Sequence, residues 1–205
     1  MMCLDIGCSS GGFDEILENR ISKGSWIQNH FGYWIGIDID RKKILCAKNV
    51  IDANFMIADA KMLPFQNMSF DVVHSAGTLH HMDDYHGGLS EMSRVCEVGG
   101  MLYLFEVVNN NLFYSMCRKI SKSWKGDAVL STFSSDDILD ILKKDFHIMD
   151  VKYFWRSVIS DIIFLVFGKE PIASLRINKF VGDIFDKIGF GKVLCCHLVV
   201  VAKRR

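Results

Sequence analysis

Met2 to Ile6 is a short apolar run that ends abruptly in Gly7-Cys8-Ser9-Ser10-Gly11-Gly12, and Phe13-Asp14-Glu15-Ile16-Leu17-Glu18-Asn19 follows with the character of a helix whose first turn is acidic. A buried strand, a loop of small residues and a helix form the opening of a nucleotide-binding βαβ unit. The glycines let backbone N–H groups approach a ligand closely, and the helix N-terminus adds a partial positive charge. A strand that feeds a helix in this way rejoins its own sheet through a crossover, which restricts the fold to parallel neighbours. The identity of the nucleotide-like ligand rests on the rest of the chain.

The alternation continues. Tyr33 to Asp40 reads as a second strand ending in acid, and Arg41 to Asn49 as a helix with apolar positions 44, 45 and 47. Phe55 to Ala58 is a third strand, again followed by an acid, Asp59, and Ser69 to Ser75 is a fourth. Tyr85 to Val95 is a helix with Leu89, Met92 and Val95 on one side, stopped by Gly99-Gly100, and Met101 to Val107 is a fifth strand. Strands and helices at this spacing predict an α/β fold: a parallel sheet with helices on both faces. The second half differs. Asn109 to Thr132 is polar and irregular, Ser134-Ser135-Asp136-Asp137 leads as an N-cap into a helix over Ile138 to Lys144, and Phe146 to Trp155 is a sixth strand. Ile159 to Lys187 reads as a helical insert and Val193 to Ala202 as a final strand.

With only Pro64 and Pro171, no repeats and no linker-like stretch, the 205 residues predict one domain over 1–205. Its half 1–107 is expected to bind a cofactor; its half 108–205, with the insert over about 156–191, is expected to meet the substrate. Half of the residues are hydrophobic and the formal net charge is +0, which excludes a disordered chain and gives no footprint for nucleic acid. The seven cysteines form no CxxC pair and lie mostly in apolar segments, so buried thiols are expected and no metal site. The start of the chain lacks a charged n-region, and the longest charge-free apolar stretch, Ile162 to Gly168, is far shorter than a membrane span needs. The expected location is the cytoplasm.

Two ligands compete for the glycine loop. Gly7, Ser9 and Gly12 have the spacing of G-x-G-x-x-G with the middle glycine replaced, which suits a dinucleotide, yet the acid that should follow stands late, at Asp38. Four further segments agree on the other candidate. Asp5-Ile6-Gly7-Cys8-Ser9-Ser10-Gly11 resembles the D-x-G-x-G-x-G loop of class I S-adenosylmethionine-dependent methyltransferases, and Gly36-Ile37-Asp38-Ile39 their G-[VI]-D-[IL] strand end. Asp59-Ala60-Lys61-Met62-Leu63-Pro64-Phe65 with Ser69-Phe70-Asp71-Val72-Val73 is similar to the D-A-x-x-L-P-F-x-x-x-S-F-D-V-V segment of the type-11, small-molecule branch. Thr78-Leu79-His80-His81-Met82 matches its L-H-H element, and Arg94-Val95 with Gly99-Gly100 its R-V-L-K-P-G-G turn.

The resemblance implies a Rossmann-like, doubly wound, seven-stranded, mostly parallel sheet with an antiparallel last strand and the helical insert before it. It implies S-adenosylmethionine as cofactor, held by Asp5, Gly7, Cys8, Ser9, Gly11, Asp38, Ile39, Asp59, Ala60, Ser75 and Leu79. Asp38 would accept from a ribose diol and Asp59 from the adenine amino group, with the Ala60 N–H nearby. The Gly7–Gly11 backbone would flank the methionine part, Asp5 would orient the loop or reach the ammonium, and Ser75 lies where a backbone carbonyl usually does so. Cys8 reads as a small apolar filler rather than a nucleophile. His80 and His81 are the candidate catalytic bases, ahead of His86 and His147.

Departures are as informative. Ser9 puts a side chain where the family has its middle glycine, and a positive φ there implies strain. Family members carry helices before the first strand; here Met2 already opens it, so a longer chain, the insert or a second subunit is expected to cover that side. The apolar positions 180, 181, 184, 185 and 188 recur at helical spacing. The insert is thus read as a packed cap, a lid over an apolar acceptor, a dimer face or a peripheral membrane contact. The expected function is methyl transfer to a small, partly apolar acceptor such as a lipid, quinone or glycan precursor. An NAD(P)-dependent oxidoreductase and a catalytically degenerate methyltransferase fold serving as a scaffold are the alternatives.

Overall fold

The computed structural model describes residues 1–9, 32–50, 53–108, 133–154 and 197–205. Strand β1 (Met2–Ile6) carries Cys3 and Asp5 toward one face and Leu4 and Ile6 toward the other, and all four are buried. That is the environment of a central parallel strand, covered on both sides. β1 pairs in parallel with β2 (Tyr33–Asp38) and with β4 (Phe70–Ala76), and β2 pairs in parallel with β3 (Asn54–Ile57). β4 pairs in parallel with β5 (Cys96–Val107). The last strand, β7 (His197–Arg204), slots antiparallel between β5 and β6 (Phe146–Phe154), giving a seven-stranded sheet of order β3-β2-β1-β4-β5-β7-β6. The expected mostly parallel sheet with an antiparallel last strand is therefore present.

Helices cover both faces. α1 (Arg41–Val50) packs Ile44 and Ala47 with Cys3, Trp34, Phe55 and Val72. Leu45, expected on that stripe, is exposed, because only positions three apart lie on the buried side here. On the other face α2 (Tyr85–Val95) and α3 (Ser135–Leu142) bury Leu89, Met92, Ile138 and Leu142 against Leu4, Val73 and Leu102. Asp84 caps α2 by accepting from the Gly87 N–H, and Ser134 opens α3 with a capping box closed by Asp137, as its sequence predicts.

The glycine pair does not stop α2. The helix ends at Val95 because Cys96 is already extended, at φ −73° and ψ 132°, and pairs with Phe70 as the first residue of β5. Gly99 (φ +83°) and Gly100 serve instead the slip in register that follows. A Cβ on Gly100 would stand 2.9 Å from the carbonyl oxygens of both Asp71 and Glu97, so the close approach of backbone requires glycine.

Arg94 fixes the loop beyond β3. Its guanidinium donates to the Glu91 carboxylate at 2.6 and 2.8 Å, to the carbonyls of Leu63 and Phe65, and to Asn67 Oδ1, while Glu91 also accepts from the Leu63 N–H. The Arg94 guanidinium holds the Glu91 carboxyl below its ordinary range. Burial pushes the Cys3 thiol up to about 12 and Cys96 to about 11, so both are inert fillers, whereas Cys46 is exposed. Among the described residues no helix is long and apolar enough to cross a membrane. The helix expected over residues 13–19, the stretch 109–132 and the insert over about 156–191 lie outside the described residues.

Candidate active site

The carboxyl ends of β1 to β5 and the start of antiparallel β7 border one cleft of about 800 Å³, a size suited to a nucleotide-sized ligand. β1 turns into it at Gly7, whose φ is +73° and whose N–H, like that of Cys8, donates to the Ile37 carbonyl at 2.8 Å. A Cβ on Gly7 would fall 2.0 Å from Thr78 Oγ1, which itself donates to the Ile6 carbonyl. Ser9 is held at φ +54°, so the strain anticipated for a side chain at this position is present.

Asp38 closes the turn from β2. Its Oδ2 accepts from the Ser9 N–H (3.0 Å) and its Oδ1 from the Asp40 N–H (2.9 Å), so that among the described residues each oxygen keeps a lone pair for the cleft. Asp40, the competing acid, caps α1 by accepting from the Lys42 N–H and is absent from the cleft wall. Asp59 lies past the end of β3, where Oδ1 accepts from the Lys61 N–H. The Lys61 ammonium reaches Asp83 across the cleft rim at 2.7 Å, an exposed ion pair of little weight for stability.

Two histidines are tied to carboxylates. His74 Nδ1 lies 2.8 Å from Asp5 Oδ1 across the paired strands β4 and β1. The other oxygen, Asp5 Oδ2, is buried and has no hydrogen-bond partner among the described residues. His80 sits on the short 3₁₀ turn Leu79–His81, with Nδ1 3.0 Å from Glu106 Oε2; Glu106 Oε1 accepts from the N–H groups of Thr78 and Leu79, both at 2.8 Å. The His80 and His81 rings are 4.1 Å apart, and Phe105 stacks on His197 at 5.4 Å.

Of the residues singled out in the sequence, Asp5, Gly7, Cys8, Ser9, Asp38, Ile39, Asp59, Ala60, His80 and His81 line this cleft. Ser75 and Leu79 are fully buried behind its wall, and Gly11 lies outside the described residues. His74, Thr78, Glu106 and His197 were not singled out. Glu106 and His74 left a faint signal, each a polar residue near the end of an otherwise apolar strand.

Residues 4–104 match the model of a methyltransferase domain family, type 11. That span contains the glycine turn, Asp38, Asp59 and the cleft-lining His74, His80 and His81. The chain belongs to the class I, type-11 methyltransferases. It is 28% identical to the malonyl-acyl-carrier-protein O-methyltransferase of Buchnera aphidicola over 98% of its length and 71% of that protein, and 24% identical to the methyltransferase GfsG of Streptomyces halstedii over 93% and 71%. Other curated relatives match about half of the chain, and those matches span 36–41% of their length. An S-adenosylmethionine-dependent methyltransferase from Mesorhizobium loti shares the fold at a TM-score of 0.66 and 17% identity, over 99% of this chain and 90% of that one. Family membership sets aside the oxidoreductase alternative. In this methyltransferase the cleft is acid-lined, with Asp5, Asp38, Asp59 and Asp83 against Lys43 and Lys61.

Proposed function

We propose that this methyltransferase binds S-adenosylmethionine across the ends of β1, β2 and β3 and transfers its methyl group to a small, partly apolar acceptor. The observation that carries the reading is the convergence of Asp5, Asp38 and Asp59 on one cleft, with a buried carboxylate oxygen of Asp5 that has no partner among the described residues. A buried carboxylate oxygen with lone pairs to spare suits a cationic group of a ligand, here an ammonium. Asp38 keeps lone pairs for a ribose diol, and Asp59 with Ala60 stands where an adenine edge would be read. The cofactor carries a sulfonium and an ammonium against one carboxylate, so a wall richer in acid than base complements it. When bound it supplies an electrophilic methyl carbon. The chain's own contribution is to hold the acceptor in line and keep water away, which accounts for much of the acceleration in such displacements. Phe105, Val107 and Met82 on the far wall support an acceptor with an apolar body.

Titration calorimetry with S-adenosylmethionine and S-adenosylhomocysteine is the test. Asp38→Ala is expected to weaken binding at least about tenfold, equivalent to roughly 1.4 kcal/mol. Absence of binding by the unaltered protein to either compound would sink the reading.

A further inference from the structure

We propose that Glu106 makes His80 a general base toward the cleft, and that the acceptor is a neutral, weakly acidic hydroxyl on a flat ring, a phenol or catechol. This rests on the cofactor reading above and adds the acceptor class to it. Among the described residues Glu106 is the most deeply buried carboxylate, at 0% exposure. Two rigid backbone N–H groups hold Oε1, so the plane of the carboxylate is fixed before His80 is considered. With Oε1 already accepting from two N–H groups, the arrangement in which Glu106 accepts throughout has His80 Nδ1 donating to Oε2. In the neutral ring Nε2 is then the acceptor, and His80 is a cleft-lining residue. Glu106 is a positioning residue: it touches neither ligand and acts through the imidazole.

The cleft argues for what that nitrogen is used on. An acceptor that arrives as an anion needs no base, and it would enter the field of Asp5, Asp38, Asp59 and Asp83. A neutral hydroxyl avoids that repulsion and needs its proton removed as it reacts. On the same side Phe105 is 39% exposed, stacked on His197 with an interplanar angle of 21°, which offers an open aromatic surface to a flat ring. Strand alternation links the two features. Phe105 and Val107 line the cleft, while Glu106 between them is buried. In the step itself the acceptor oxygen bonds to the methyl carbon as that carbon's bond to the sulfonium sulfur breaks. The sulfur keeps the electron pair, and the hydroxyl proton passes to Nε2, leaving an imidazolium beside Glu106.

The first test reads the tautomer without any reaction. In ¹⁵N-histidine-labelled protein His80 should carry its proton on Nδ1, and Glu106→Gln, whose amide NH₂ now faces Nδ1, should move it to Nε2. The second uses catechol and a nitrocatechol that is already ionised at neutral pH, with S-adenosylmethionine affinity measured alongside. His80→Gln and Glu106→Gln should lower kcat on catechol about a hundredfold, change KM little, and lose less than about threefold on the ionised nitrocatechol. His80→Gln alone suffices if the Glu106 variant does not fold. A His80 proton on Nε2 in the unaltered protein, equal losses on both phenols, or cofactor binding with no phenol methylated overturns the proposal while the cofactor reading stands. If the cofactor does not bind, both fall.

Discussion

Two histidine–carboxylate pairs face the same cleft, and they differ in what the carboxylate has left to give. At the end of β1, Asp5 spends one oxygen on His74 and keeps the other buried and, among the described residues, unpartnered. Toward the end of β5, Glu106 has both oxygens engaged, one by two backbone N–H groups and one by His80. A buried acid that lines the cleft with an oxygen to spare is a place for a ligand; a buried acid held by both oxygens and set behind the cleft wall is a piece of scaffold. The same residue chemistry therefore serves binding at one strand end and alignment at the other.

Breaking the scaffold side should cost most. Glu106→Leu leaves the Thr78 and Leu79 N–H groups and His80 Nδ1 without an acceptor in a buried site, with an expected loss of about 3 kcal/mol or more in urea unfolding. A loss below about 1 kcal/mol would remove the contrast. Gly7→Ala comes next: φ +73° and the approach of Thr78 predict roughly 2 kcal/mol of destabilisation, read as a lowered denaturant midpoint. Asp5→Asn should behave oppositely to the Glu106 change. Unfolding free energy is expected to move by less than about 1 kcal/mol, while S-adenosylmethionine affinity falls about tenfold by calorimetry. Equal effects on stability and binding would make the two pairs alike. The smallest change is Ser9→Gly, which relieves the φ of +54° against added chain entropy and should raise the unfolding free energy by about 0.5 kcal/mol.

What the sequence shows of this molecule follows from which interactions are local. Met2–Ile6, Tyr33–Asp38 and Tyr85–Val95 are legible because burial writes itself into residue spacing. The end of α2 at Val95 is legible but the role of Gly99-Gly100 is not, because a glycine pair marks a helix stop and a β-bulge with the same letters. Asp38 and Asp59 are legible because one ends an apolar strand and the other stands just past one. Glu106 is not, since the donors it satisfies stand 26 to 28 residues away and no periodicity reports a side chain's distant partner. Leu45 shows the converse: its letter is apolar, but the side of α1 it occupies is set by packing that only the sheet defines.

Because β7 runs antiparallel beside β6, Phe154 and His197 are direct partners. The end of β6 thus lies beside the start of β7, with residues 155–196 between them in the chain. Closing a loop on such a fixed base costs only about 0.6 kcal/mol for each doubling of its length. His197, on the cleft wall, is also the hinge post of that junction. A change in the length of the connection between β6 and β7 would therefore leave their register to be set by their own pairing. The junction is thus a place where the chain can vary without disturbing the sheet on either side of it.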